Sequence, residues 1–71
     1  MRQLLLFRTT RAVIKAERLL RRNTMYCKTI PVPRTISSEC GMALEIKAEE
    51  LESCVALLTD DEISCSPVTV E

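Results

Sequence analysis

Four cysteines are the residues of this sequence with the widest range of chemistry: Cys27, Cys40, Cys54 and Cys65. Such a set can form disulfides, hold a metal ion or supply a reactive thiol. The chain has no Cys-x-x-Cys pair and no histidine, so we expect no metal and no cofactor. We expect a cytoplasmic chain, in which disulfides are rare. A reactive thiol is therefore the chemistry that this set favours.

Cys40 differs from the other three cysteines in its setting. It ends a polar loop, residues 33–40, and directly precedes Gly41, the only glycine of the chain. A glycine lets a partner or a small ligand approach the backbone closely. Two interpretations stay open: a functional thiol on a surface loop, or an inert loop cysteine before a turn.

The residues around Cys40 bear on how easily its thiol ionises. A thiol reacts as its thiolate, which a nearby guanidinium or hydrogen-bond donors stabilise. Arg34 lies in the same loop and could reach the sulfur. Ser37 and Ser38 could donate hydrogen bonds to it. Glu39 opposes this effect, because an adjacent carboxylate disfavours a second negative charge.

The other three cysteines are predicted to be small buried hydrophobic residues. Cys54 lies on the apolar face of a predicted helix. Cys65 shares one face of a predicted strand with Ile63, and Cys27 alternates with Met25 on another strand. We expect all three thiols to be packed inside.

The chain begins with a predicted strand and helix. Residues 3–7 are predicted to form a strand, and their continuous apolar run, Leu4–Phe7, is typical of a strand at the centre of a sheet. Residues 10–22 place apolar side chains on one helical face, with Thr9 or Thr10 as the N-cap. Residues 23–24 end this helix, because Asn tolerates the left-handed conformation.

A hairpin is predicted next. Residues 25–32 form a strand bounded by prolines, which place it at an edge of the sheet. After the polar loop, residues 42–46 alternate between apolar and other side chains, as a half-buried strand does.

A second helix over residues 48–58 and a last strand over 62–70 complete the chain. The order is βαββαβ. Right-handed crossovers then place both helices on one face of a four-stranded antiparallel sheet, as in the ferredoxin-like α+β fold. We expect one domain, residues 1–71, with the first strand central.

Charge is divided unevenly along the chain. Residues 1–34 carry nine Lys or Arg and one acid, and residues 35–71 carry one Lys and nine acids. Two halves of one fold that attract each other are one interpretation. The other is a basic face that docks an acidic partner, a second copy's acidic half or nucleic acid, although aromatic residues for base stacking are nearly absent. Its residues would be Arg11, Lys15, Arg18 and Arg22.

Other classes of function are disfavoured. The longest apolar run, Leu4–Phe7, is far shorter than the roughly 20 residues that a membrane helix needs. The sequence has no glycine-rich phosphate loop and no histidine to act as a general base. A classical enzyme is therefore the least expected class of function.

The run Pro31-Val32-Pro33-Arg34-Thr35-Ile36-Ser37-Ser38-Glu39-Cys40-Gly41 resembles the signature of the selenium/sulfur (Se/S) carrier protein-like family of small bacterial and archaeal domains. Phe7, Thr9 and Glu17 fit that family upstream, and Ala43-Leu44 and the Glu-rich start of the second helix fit downstream. Val13 stands where the family usually has Ala, and Thr35 where an acidic residue is common.

The resemblance implies a compact domain that handles sulfur or selenium on its cysteine. By position, Cys40 becomes the carrier thiol, with Arg34 and Gly41 shaping its loop. Implied partners are donors and acceptors of the cysteine desulfurase or sulfurtransferase type. The alternative is a non-catalytic interaction or dimerisation module that uses the basic face.

Overall fold

Strands and helices follow one another in the predicted βαββαβ order in a computed structural model, which describes residues 2–33, 35–36 and 40–70. The strands are β1 (Arg2–Leu6), β2 (Lys28–Pro31), β3 (Met42–Ile46) and β4 (Ser66–Val70). The helices are α1 (Thr10–Arg22) and α2 (Leu51–Asp60), and a 3₁₀ turn, Ala48–Glu50, precedes α2.

The four strands form one antiparallel sheet in the order β2-β3-β1-β4. Leu5 of β1 pairs with Leu44 on one side and with Pro67 on the other. The first strand is therefore central and the second lies at an edge, as predicted. This is the ferredoxin-like α+β arrangement.

Apolar side chains fill both faces of the sheet. The helix-side core joins both helices to one face of the sheet through Leu5, Val13, Leu44 and Leu58, all nearly or fully buried. Neighbouring strand residues point to opposite faces, so Leu4 lies on the other face. There it forms the second-face cluster with two further buried residues, Ile30 and Ala43. Four partly buried residues pack against that cluster: Leu6, Val32, Ile36 and Val70.

Helix α1 has the predicted bounds. The backbone N–H of Ala12 donates to the Thr9 hydroxyl oxygen at 3.1 Å, which identifies Thr9 as the N-cap. Val13, Ala16 and Leu20 are buried against the sheet, so the apolar face read from the sequence is the packed face. Neither helix has the length and hydropathy to cross a membrane within the part of the chain that the structure describes.

Both helices end in the same hydrogen-bonded motif. After α1, the N–H of Met25 donates to the Leu20 carbonyl and that of Thr24 to the Arg21 carbonyl. After α2, Ile63 donates to Leu58 in the same way. This pattern is a Schellman motif, which needs one residue in the left-handed conformation.

The left-handed residue after α1 is not the one that the sequence suggests, and the sequence suggested none after α2. Asn23 was expected to adopt this conformation, but its φ is −96°. Thr24 has φ 58° instead, and Glu62 has φ 59° after α2. Two ordinary side chains therefore occupy positions that favour glycine.

Several boundaries were wrong. Strand β2 begins at Lys28 rather than at residue 25, because residues 23–25 complete the end of α1. Strand β4 begins at Ser66 rather than at residue 62, because Glu62 belongs to the end of α2. The second helix starts with a 3₁₀ turn and continues to Asp60, two residues beyond the predicted end.

Candidate functional site

The loop that carries Cys40 is closed at its base by the hairpin between β2 and β3. Pro31 pairs with Met42 at the end of the ladder. One step further on, the N–H of Val32 donates to the Gly41 carbonyl at 3.0 Å. Cys40 therefore lies in the loop, directly next to the last backbone hydrogen bond of the hairpin. That bond fixes the direction of the chain at this point.

Gly41 is required there by its backbone conformation. Its φ is 74°, in the left-handed region that other residues adopt only with strain. Among the described residues, a Cβ built on it would meet no atom within 4 Å other than those of its two chain neighbours. The conformation alone accounts for a glycine, and the close approach of a partner stays a prediction.

The Cys40 thiol faces two backbone carbonyls. Its Sγ lies 3.3 Å from the oxygen of Phe7 and 3.2 Å from the oxygen of Met42, and it donates toward both. One S–H proton is thus shared between two acceptors. The side chain is half-buried and packs against the helix-side core. The sulfur is held at the boundary between the core and the surface.

The sulfur also lies where several elements meet. Phe7 ends the segment after β1, Met42 starts β3, and Arg8 and Thr9 lead into α1. Arg8 lines an open cleft of about 360 Å³ together with Arg11, Lys15, Asp61 and Ile63. The cleft has basic side chains on the α1 side and acidic ones after α2.

Comparison with known proteins identifies the family. The profile of the family described as "Putative Se/S carrier protein-like" matches residues 2–68. The chain belongs to this family. No curated protein and no solved structure matches it. The resemblance noted in the sequence of this Se/S carrier-like chain is therefore confirmed at the level of the family.

Three of the predicted site residues lie outside the described residues: Arg34, Ser37 and Ser38. The same holds for Glu39. Their expected effects on the Cys40 thiol stay predictions. Of the predicted loop residues, the structure places Cys40 and Gly41 next to each other at the base of the loop.

Apolar residues hold part of the loop of this Se/S carrier-like chain against the sheet. The sequence did not predict this role for them. Ile36 and Val32 pack against the second-face cluster, and the Ile36 N–H donates to the Pro33 carbonyl at 3.0 Å. The available signal was Ile36, an apolar residue in a loop predicted to be polar, and Val32 at the end of the predicted strand before it. Val32 and Ile36 thus lie on the face of the sheet that carries no helix.

Cys27 and Cys54 are buried as predicted. Cys54 is 0% exposed, and burial, with a smaller effect of Glu50, raises the pKa of its thiol to about 11. Burial likewise raises the pKa of the Cys27 thiol, although the Arg21 guanidinium acts against this. Both thiols are therefore less ionised at neutral pH than an ordinary cysteine.

The prediction that the Cys65 thiol is packed inside was wrong. It lies in the segment before β4 and is only half-buried, although it packs against the helix-side core and burial raises its pKa. No disulfide joins the four cysteines. Among the described residues, no three Cys, Asp or Glu side chains are placed to hold a metal ion.

The four basic residues predicted to bind a partner all lie exposed along α1: Arg11, Lys15, Arg18 and Arg22. Arg11 and Lys15 reach the cleft beside Arg8, at the end of the molecule that holds Cys40. Arg18 and Arg22 lie one and two turns further along the helix. The structure thus brings only half of this set to the Cys40 end.

Proposed function

We propose that this Se/S carrier-like chain holds a sulfur or selenium atom on Cys40, as a persulfide or perselenide, and passes it between partner proteins. The observation that carries the proposal is the position of Cys40: its sulfur is half-buried at the closed end of the β2–β3 hairpin. Membership of the family supports the same chemistry.

The transfer step is an exchange at sulfur. The Cys40 thiolate attacks the outer sulfur of a donor persulfide, and a new S–S bond forms to Cys40. The S–S bond of the donor breaks, and its electron pair stays on the donor cysteine as a thiolate. The outer sulfur moves with no net oxidation or reduction. The same exchange, run toward an acceptor thiolate, unloads the carrier.

Loading changes the hydrogen bonds that hold Cys40. In the structure, the thiol proton is directed at the carbonyls of Phe7 and Met42. Sγ has no proton once it is bonded to a second sulfur, so it cannot donate to either carbonyl. We infer that the side chain turns away from them on loading, and that the open space beside Gly41 accommodates the added atom.

The residues of the loop are proposed to support the loaded state. Arg34 would stabilise a persulfide or perselenide anion electrostatically, and Ser37 and Ser38 would donate hydrogen bonds to it. Donor and acceptor are proposed to be proteins of the cysteine desulfurase or sulfurtransferase type. They would approach the end of the molecule where the β2–β3 loop and the start of α1 meet.

Mass spectrometry tests the proposal directly. The protein is incubated with a cysteine desulfurase and cysteine, and its peptides are mapped for the addition of one sulfur atom. We expect the addition on Cys40. The Cys40→Ser variant should lose it, and Cys65→Ser, which removes the other half-buried thiol, should keep it. Sulfur on Cys27 or Cys54, or on no cysteine, would contradict the proposal.

A non-catalytic interaction module is the second candidate, and the exposed basic residues of α1 are the observation that favours it. In that case, Cys40→Ser would retain every function of the chain. Binding to an acidic partner would instead weaken steeply as salt is added. The two candidates thus differ in whether the Cys40 sulfur matters.

A further inference from the structure

The outer face of α1 carries a column of positive charge. Its members, Arg11, Lys15, Arg18 and Arg22, are spaced four, three and four residues apart and are all exposed. That spacing puts them on one side of a helix. The ion pairs among the described residues are Arg21–Glu17 and Arg2–Glu45. The four cations of this basic column therefore take part in no ion pair within the described chain.

The outer face of the second helix carries a matching acidic column. Glu49, Glu52 and Asp60 are exposed, and exposed Ala56 lies between the last two. These positions are spaced three, four and four residues apart. The two columns are thus equally long: eleven positions separate Arg11 from Arg22, and eleven separate Glu49 from Asp60. The corresponding length along a helix is about 16 Å.

The topology of the sheet determines the relative direction of the two columns. Strands β1 and β3 are antiparallel, so the helices that follow them run in opposite directions in one layer. Arg11 and Lys15, near the start of α1, line the same cleft as Asp61 and Glu62, which follow α2. The start of α1 therefore lies beside the end of α2, and the two charged columns run side by side in opposite directions.

We propose that two copies of this chain form a two-fold symmetric dimer through their helical layers. With the axis parallel to the helices, α1 of one copy lies over α2 of the other. Arg11 then faces Asp60 of the second copy, and Arg18 faces Glu52 of the second copy. Lys15 lies opposite the small Ala56 of the second copy, where its aliphatic stem can pack.

The size of the molecule suits such an interface. Its longest dimensions are 30 and 25 Å, with a thickness of 16 Å. A face of this extent is comparable to the roughly 800 Å² per partner of a standard protein interface. Ile14, which is 48% exposed and lies beside the basic column, adds apolar contact area.

A second copy is the partner that these observations favour. An unrelated acidic protein or a nucleic acid would need only the basic column. The acidic column of equal length on the neighbouring, antiparallel helix has no use in that case. A two-fold dimer uses both columns twice. It also places both Cys40 residues at the same end of the assembly, although the proposal does not depend on the function of Cys40.

Sedimentation equilibrium on charge-exchanged variants tests this dimer. The wild-type chain should be dimeric at low ionic strength and dissociate at about 1 M salt, where the Debye length falls to about 3 Å. Arg11→Glu with Arg18→Glu places acids opposite the acids at positions 52 and 60 of the second copy, and Glu52→Lys with Asp60→Lys places bases opposite Arg11 and Arg18. Each variant alone should dissociate more than about tenfold more readily, because like charges then face each other. Mixed together, the two variants should form a heterodimer.

The control changes the same amount of charge outside the helical layer. Lys28→Glu with Lys47→Glu should leave the dimer intact, and circular dichroism should show that every variant is folded. A wild-type monomer at low salt would overturn the proposal. So would charge-exchanged variants that stay dimeric, a variant pair that does not associate on mixing, or loss of the dimer in the α1 variant alone.

Discussion

The sulfur of Cys40 lies 3.3 Å from the carbonyl oxygen of Phe7, a residue 33 positions earlier in the chain. The contact is made possible by the pairing of Leu6 with Ala43, which sets the end of β1 beside the start of β3. The position of the thiol therefore depends on the register of the sheet. A change that shifts the register would move the sulfur without touching its loop.

Replacing Gly41 with Ala should destabilise the protein by about 1 kcal/mol or more, because the left-handed conformation is strained for a residue with a Cβ. The cost is conformational, since the added carbon meets no atom within 4 Å in the described part of the chain beyond its two neighbours in sequence. Urea unfolding measures it. Gly41→Asn should cost less than Gly41→Ala, because Asn tolerates this conformation better. Equal costs for the two would contradict this explanation.

Replacing Thr24 with Gly should stabilise the protein by about 0.5 to 1 kcal/mol, because a β-branched residue at φ 58° is relieved of strain. Thermal unfolding checks the direction. Asn23→Gly is the matched control: Asn23 has φ −96°, so glycine relieves no strain there, adds chain entropy and removes the hydrogen bond from the Asn23 side chain to the Leu19 carbonyl at 2.9 Å. That variant should be less stable than the wild type. A Thr24→Gly variant that also loses stability would show that the hydroxyl of Thr24, bonded to the Asn23 carbonyl at 2.6 Å, matters more than the strain.

The buried thiol of Cys54 should make the fold sensitive to alkaline pH. Its pKa is raised to about 11 in the folded chain, whereas an unfolded cysteine ionises near pH 8.5. Between these values the unfolded state releases the proton more readily, so the free energy of unfolding should fall as pH rises from about 8.5 to 11. Below pH of about 8.5, the contribution of the protonated Cys54 thiol to the free energy of unfolding is fully present.

Urea unfolding at a series of pH values measures this loss. Cys54→Ala should lower stability at neutral pH, because it leaves a small cavity, but its stability should fall less steeply above pH of about 8.5. Cys65→Ala serves as a comparison, since that thiol is only half-buried and its own pKa is raised by burial. If the stability of the Cys54→Ala variant falls with pH as steeply as that of the wild type, the alkaline loss of stability is not due to the Cys54 thiol.

Features set by hydrophobic patterning were predictable from the sequence. The unbroken apolar run of β1 predicted its central place, and the prolines around β2 predicted its edge position. The bounds of α1 followed from a clear cap and a clear apolar face. These signals are local and repeat over many residues, so no knowledge of distant contacts was needed.

Features set by tertiary contacts were not predictable in the same way. Thr24 and Glu62 adopt the left-handed conformation although neither residue type favours it, because the helix must turn back onto the core at those points. The half-exposure of Cys65 depends on where β4 begins, which local alternation does not fix. The contact of Cys40 with Phe7 depends on strand pairing, and Ile36 finds its place only through the second-face cluster.

The hydrogen bond between Val32 and Gly41 separates the sheet from everything in the loop beyond it. Chain length and the side chains between these two residues, apart from Ile36 and Cys40, can therefore change at little cost to folding, since the entropic cost of loop closure grows only slowly with length. If Cys40 is the carrier thiol proposed above, the segment before it can change to fit a different partner while the backbone that positions the thiol stays the same.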